Sequence, residues 1–177
     1  MALTAQEFWT VMHGMILGTL FLLAYAGGLA GLWSLRPEWQ TAVGMHERLR
    51  RLIVGTWIMA IVAWLTVFTG TYIVYPWYRA RPPADVANLA QFPRSYLLAN
   101  PDLAAWHTFG MEWKEHVGWL SPMLATTVAY VVVRYGRQLA NEPKIRQALL
   151  VLFTIAFLTA AVAGLFGAFL NKVAPIR

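Results

Sequence analysis

Apolar residues in this chain gather into four long runs, at about 8–33, 52–75, 110–133 and 147–170, parted by shorter polar connections. A helix needs ~20 such residues to cross the hydrocarbon of a bilayer, and each run reaches that length. Backbone groups in lipid must be satisfied inside the segment, so the runs predict helices and not open strands. The pattern therefore predicts an all-α integral membrane four-helix bundle, one membrane domain over 1–177. A long outer loop at 76–109 joins the second helix to the third.

Composition agrees with the pattern. The 177 residues are 59% hydrophobic and 12% charged, with a mean hydropathy of +0.52. A water-soluble domain carries about 25% charged residues, so too few are present to clothe a surface in water. The amino terminus has no basic region and its apolar run is too long for a secretory signal, which predicts no cleaved leader. Cysteine is absent, which excludes disulfides, thiolate metal sites, iron–sulfur ligation and covalent haem attachment.

The charges also carry an orientation. On one side of the four runs lie Arg36, Arg48, Arg50, Arg51, Arg134, Arg137, Lys144 and Arg146, opposed by Glu38, Glu47 and Glu142, a net of +5. The other side carries six basic residues (Arg79, Arg81, Arg94, Lys114, Lys172, Arg177) against five acidic ones (Glu7, Asp85, Asp102, Glu112, Glu115), a net of +1. By the positive-inside rule the first side is cytoplasmic and both termini are extracytoplasmic, as expected in a prokaryotic plasma membrane. The overall charge of +6 then reflects topology and attraction to anionic lipid, not a nucleic-acid surface.

Small residues four apart, at Gly14/Gly18, Ala24/Gly28, Gly27/Gly31 and Ala160/Gly164/Ala168, predict close helix packing on the first and fourth helices. Tryptophans 9, 77, 106, 113 and 119 form a belt at the outer boundary, with Trp33 and Trp39 at the inner one. Trp57 and Trp64 fall mid-helix, where lipid or a partner subunit is the expected neighbour. In the loop, Asn100-Pro101-Asp102 predicts a helix start, with Asn100 as cap, Pro101 in the first turn and Asp102 on the helix dipole. Pro122 cannot donate to the Gly118 carbonyl, so a kink is expected there.

The candidate chemistry lies in 106–120, where His107, His116, Glu112, Glu115, Lys114 and three tryptophans sit at the mouth of the third run. Ionisable groups at the edge of hydrocarbon are expensive unless paired or solvated, and so mark function. His13, early in the first run, lies on the same side as His107 and His116, whereas His46 lies on the opposite side. His13 and His116 are both ~8–9 Å below the outer rim at 1.5 Å per residue. Two imidazoles at one depth on different helices can ligate a haem iron axially, as bundles build cofactor sites from facing side chains. Gly14 and Gly118 would leave room for the macrocycle. Tyr72, Tyr75 and Arg79, ending on the same side, can hydrogen-bond a quinone or a haem propionate. His107 is a weaker ligand candidate. Three rivals stay open: histidines serving only as interface groups, a proton relay, and a non-haem metal site drawn from His13, His107, His116, Glu112 and Glu115. His46, in a basic run, is expected to meet lipid headgroups or a partner.

In architecture, four spans with His13 and His116 near their ends resemble the small four-helix membrane b-type cytochromes, such as the cytochrome b561-like group. Those proteins often hold two haems with a ligand pair on each side of the membrane. This chain departs from that, since three histidines crowd one side and His46 stands alone. The expectation is a membrane electron-transfer subunit binding one haem b near the extracytoplasmic face and passing electrons between quinone and a partner protein. Its partners would be lipids and other subunits of a respiratory complex, or further copies of itself. The alternative is a non-catalytic accessory or assembly subunit. No nucleophile–base set or phosphate loop points to a stand-alone enzyme, and no mid-span charge or inverted repeat to a transporter.

Overall fold

A computed structural model describes residues 3–39 and 41–176. Four helices are long and apolar enough to cross a membrane: α1 (Ala5–Ser34), α2 (Val43–Tyr78), α4 (Pro101–Ala140) and α5 (Pro143–Val173). A short helix, α3 (Pro93–Ala99), lies in the connection between α2 and α4. No strand occurs among the described residues, and the architecture is all-α as the runs predict.

The helices outrun the apolar stretches at their ends. α1 starts in a capping box, in which Thr4 Oγ1 accepts from the Glu7 amide and Glu7 accepts from the Thr4 amide. α4 starts where Asn100 accepts from the Asp102 amide at 3.0 Å, ahead of Pro101. The outer loop expected at 76–109 is accordingly much shorter, because α2 runs on through Tyr78 and α4 begins at Pro101. A wide π turn at Gly70–Val74 precedes Pro76, whose ring would strike a carbonyl of the preceding turn in a regular helix. The expected irregularity before Pro122 appears as a tight 3-10 turn at Val117–Trp119. The regular part of α4 stops at Gly136, whose φ of +47° suits a residue without a Cβ.

The chain divides into two compact units. The middle unit, Thr19–Trp64 with Leu120–Thr159, is an apolar packing of four helix segments whose buried polar residues are hydroxyls, Thr56, Ser121 and Thr159. Tyr25 stacks on Phe157 with centroids 4.0 Å apart, and its hydroxyl donates to Thr154 Oγ1. Gly28 lies under the Phe153 ring, and the Gly28 backbone nitrogen is 3.8 Å from where a Cβ on Gly55 would stand. Of the predicted seams, Ala24/Gly28 and the Gly31 half of Gly27/Gly31 are close contacts, the latter against Leu52. Gly14, Gly18, Gly27 and Gly164 face open space instead, because helix rotation turned them away from any neighbour. Trp64 is an internal group that donates to Thr126 Oγ1 at 3.0 Å, while Trp57 is exposed. A Cβ at Gly28 would stand 2.6 Å from two atoms of the fully buried Phe153 ring. Gly28→Ala is expected to cost ~1–3 kcal/mol through overpacking, measured by denaturing-detergent titration, and Gly27→Ala to cost nothing.

The terminal unit holds the chain up to Gly18, from Leu65 to Trp119 and from Ala160 onward. Leu97 of α3 is buried with Tyr78, Met111, Leu170 and Ala174, and Leu103 and Trp106 pack against that core. The connection between α2 and α4 is therefore anchored by packing. Trp106 meets Phe169, and Phe109 and Trp113 both meet Phe166, so aromatic rings join α4 to α5.

Candidate functional site

Three of the four spans leave regular α geometry inside the terminal unit. α1 does so at Met12–Ile16, α2 at Gly70–Val74 and α4 at Trp106–Met111, each as a π turn. Such turns are rare and concentrate at functional sites, since they expose backbone and redirect side chains. The first carries His13, the second Gly70 and Tyr72, the third His107. Nothing in the apolar pattern signals them.

Hydrogen-bond accounting sets the proton on each imidazole. The Thr69 hydroxyl has one proton and spends it on its own helix, at the Leu65 carbonyl (2.7 Å) and the Thr66 carbonyl (3.1 Å). Its oxygen therefore accepts from His13 Nδ1–H at 3.1 Å, leaving Nε2 with a lone pair. His116 Nδ1 faces the Glu112 carbonyl at 3.0 Å, an acceptor only, so it too carries its proton on Nδ1. His107 is occupied on both nitrogens. Arg94 Nε donates to its Nε2 at 3.3 Å, and its Nδ1–H then donates to the Tyr78 oxygen at 2.9 Å.

α4 sends adjacent charges to different neighbours. Lys114 Nζ lies 3.0 Å from where a Cβ on Gly167 of α5 would stand, and its charge is the one that acts on His13 of α1. Glu115, about 100° further round the helix, accepts a hydrogen bond from the Tyr75 hydroxyl of α2, and its charge also acts on Tyr78. Its Oε1 is buried with no hydrogen-bond partner in the chain. Tyr75 and Tyr78 stack at 6.1 Å, and the Arg79 guanidinium covers the Tyr75 ring at 5.3 Å.

The remaining sequence candidates are dispersed. Tyr72 is 69% exposed and points away from the cluster. Gly14 and Gly118 both have open space at the Cβ position. The pair of ligands is another matter. The His116 side chain is 71% exposed beside Glu112, with Nδ1 turned to its own helix, whereas His13 is part-buried against Thr69 of α2. The two imidazoles thus differ in neighbours and in exposure. No group of three or more His, Asp and Glu side chains gathers to hold a metal ion among the described residues. His46 is exposed. Sequence reading placed Lys114 and Glu115 at the right end of the right helix but gave the central role to the imidazoles. Arg94 entered it only as one of the outer-side charges and Tyr78 not at all, because only folding brings them to His107.

No family model, curated protein or solved structure matches this chain. What fold and site together define is an all-α protein with four helices able to cross a membrane and a charged cluster lodged among their ends in the terminal unit.

Proposed function

We propose that the chain is a membrane subunit of a redox complex whose own contribution is a proton-handling site built from Lys114, Glu115, His13 and Tyr75, serving a quinone-class reactant. The observation that carries this reading is the buried, unpartnered Glu115 Oε1 beside Lys114, where three spans are wound into π turns. Ionisable groups are retained in membrane helices at a cost and mark proton relays and substrate paths. Quinol oxidation releases protons together with electrons. A carboxylate with one buried oxygen left unpartnered can accept one of those protons. An ammonium can donate a hydrogen bond to a quinone oxygen, and His13 Nε2 can accept one from a quinol hydroxyl.

The test is binding of decylubiquinone to the full chain in nanodiscs, read by tryptophan quenching. Glu115→Gln and Lys114→Met are each expected to weaken binding about 10-fold or more, the worth of a hydrogen bond to a charged group. Absence of binding by the unaltered protein, or equal binding by both variants, would refute the reading.

A second reading keeps haem b and moves it to a boundary with another chain. Its support is the outward His116, whose Nδ1–H is held by the Glu112 carbonyl so that Nε2 is presented away from the helix. It expects a Soret band in protein from haem-replete cells that His116→Ala abolishes and His13→Ala preserves. A colourless preparation of folded protein would rule it out.

A further inference from the structure

Beyond the cluster, Arg94, His107 and Tyr78 form a hydrogen-bonded triad that the reading above does not use. We propose that this triad is an acid-released latch: neutral His107 lets Arg94 fasten α3 to α4, and protonation of His107 at Nε2 undoes that fastening. The latch depends neither on quinone binding nor on the role given to Glu115.

Donor and acceptor roles decide which form closes the latch. Guanidinium only donates, so the Arg94 Nε contact at 3.3 Å requires a lone pair on His107 Nε2. The imidazole proton then sits on Nδ1, 2.9 Å from the Tyr78 oxygen. Imidazolium carries a proton on both nitrogens. Its Nδ1–H keeps the bond to Tyr78, whereas its Nε2–H meets the Arg94 N–H and two positive charges stand together. Protonation thus breaks one contact of the triad and spares the other. His107 stays seated on α2, and the change falls on α3. The closed form binds one proton fewer than the open form. Docking of α3 is therefore full above the ordinary imidazole value of about 6.5 and weakens as pH falls below it.

Among the described residues, no other side-chain hydrogen bond ties α3 to a spanning helix. The remaining anchors of α3 are apolar. Pro93 is fully buried, and Leu97 is buried with Tyr78 of α2, Met111 of α4, and Leu170 and Ala174 of α5. A helix of seven residues held by two side chains and one polar tie is the kind of segment that opens locally at small cost. Losing the tie makes α3 open more often without unfolding the spans. His107 is 8% exposed, so water reaches Nε2 when Arg94 moves away. The charged groups that face His107 are Arg94 from α3, Arg79 from the end of α2, and Glu112 and Glu115 from α4. The two carboxylates favour an arriving proton and the two arginines oppose it, while the α5 residues of the adjoining core are apolar.

The experiment is amide hydrogen exchange of the full chain in nanodiscs, read by mass spectrometry on the segment 93–100 and corrected for the intrinsic effect of pH. The Tyr96 amide, bonded to the Phe92 carbonyl, reports the first turn of α3. Between about pH 8 and about pH 5, the range that imidazole titration spans, corrected exchange of this segment is expected to rise about 10-fold, the worth of a hydrogen bond to a charged group. His107→Gln offers Arg94 an acceptor oxygen that does not titrate, so it should stay slow at both pH values. Arg94→Met removes the donor and should be fast at both. His13, His46 and His116 are unaltered in these variants and would betray themselves by a pH step that survives. An unaltered protein without the step, or a step that persists in Arg94→Met or in folded His107→Gln, overturns the latch. If His107→Gln fails to fold, Arg94→Met decides alone.

Discussion

Replacing Gly70 with alanine is expected to dismantle the His13 end of the cluster. A Cβ at Gly70 would stand 2.7 Å from His13 Cε1, closer than the two atoms can approach, and 3.3 Å from Nε2. The ring cannot simply swing aside, since Nδ1–H is tied to Thr69, whose hydroxyl is itself tied to the α2 backbone. Overpacking of this kind costs ~1–3 kcal/mol, and the lost hydrogen bond adds ~1 kcal/mol. Two measurements check it: detergent-denaturation stability, and the 15N shifts of His13, which should lose the signature of a fixed Nδ1–H tautomer. Gly14→Ala is the control. It lies in the same π turn of α1 as His13 but has open space at its Cβ position, so it should leave both measurements unchanged. If Gly70→Ala keeps the His13 tautomer, the ring is not seated on α2 as described.

The second large effect is expected at Arg146, in the first turn of α5. One guanidinium nitrogen, Nη1, lies 3.0 Å from the Leu35 carbonyl, 3.3 Å from that of Leu139 and 3.0 Å from that of Ala140. These carbonyls end α1 and α4, where helix C-termini leave acceptors unpaired and the helix dipole is negative. Arg146→Met preserves most of the apolar stem and removes every donor, so it is expected to destabilise the middle unit by ~2–4 kcal/mol, because charged donors make the stronger kind of hydrogen bond. Arg146→Lys should recover only part of this, since a compact ammonium does not reproduce the reach of the planar guanidinium. A loss of less than ~0.5 kcal/mol in Arg146→Met would place the residue among ordinary surface charges.

Arg146 also marks the limit of sequence reading. Counted along the chain it is one of eight basic residues on one side of the spans, and the positive-inside rule accounts for it. Its clamp joins residues 111 and 7 positions away, a relation that no periodicity encodes. The glycines teach the same lesson. Gly14/Gly18 and Ala24/Gly28 read alike as small-residue pairs, yet only the second meets a neighbouring helix, because spacing defines a stripe on a helix and not the direction that stripe faces. His13 and His116 were matched by depth, which rise per residue supplies, but axial ligation needs matched azimuth as well. The 3-10 turn at Val117–Trp119, the π turns and the placement of Lys114 against Gly167 set that azimuth.

The sequence alone determined the four helices, the all-α class and the Asn100 cap. These follow from interactions with solvent and from contacts a few residues apart: hydrocarbon demands long apolar runs with internal hydrogen bonds, and a cap needs only its own first turn. Tertiary structure alone decided that Glu115 meets Tyr75, that His107 is held between Arg94 and Tyr78, and that His116 turns outward. Those outcomes depend on how far each helix is rotated about its axis, and packing of neighbouring helices sets that rotation. A change of ~100° exchanges one residue's surroundings for the next one's without altering the apolar pattern that specifies the span.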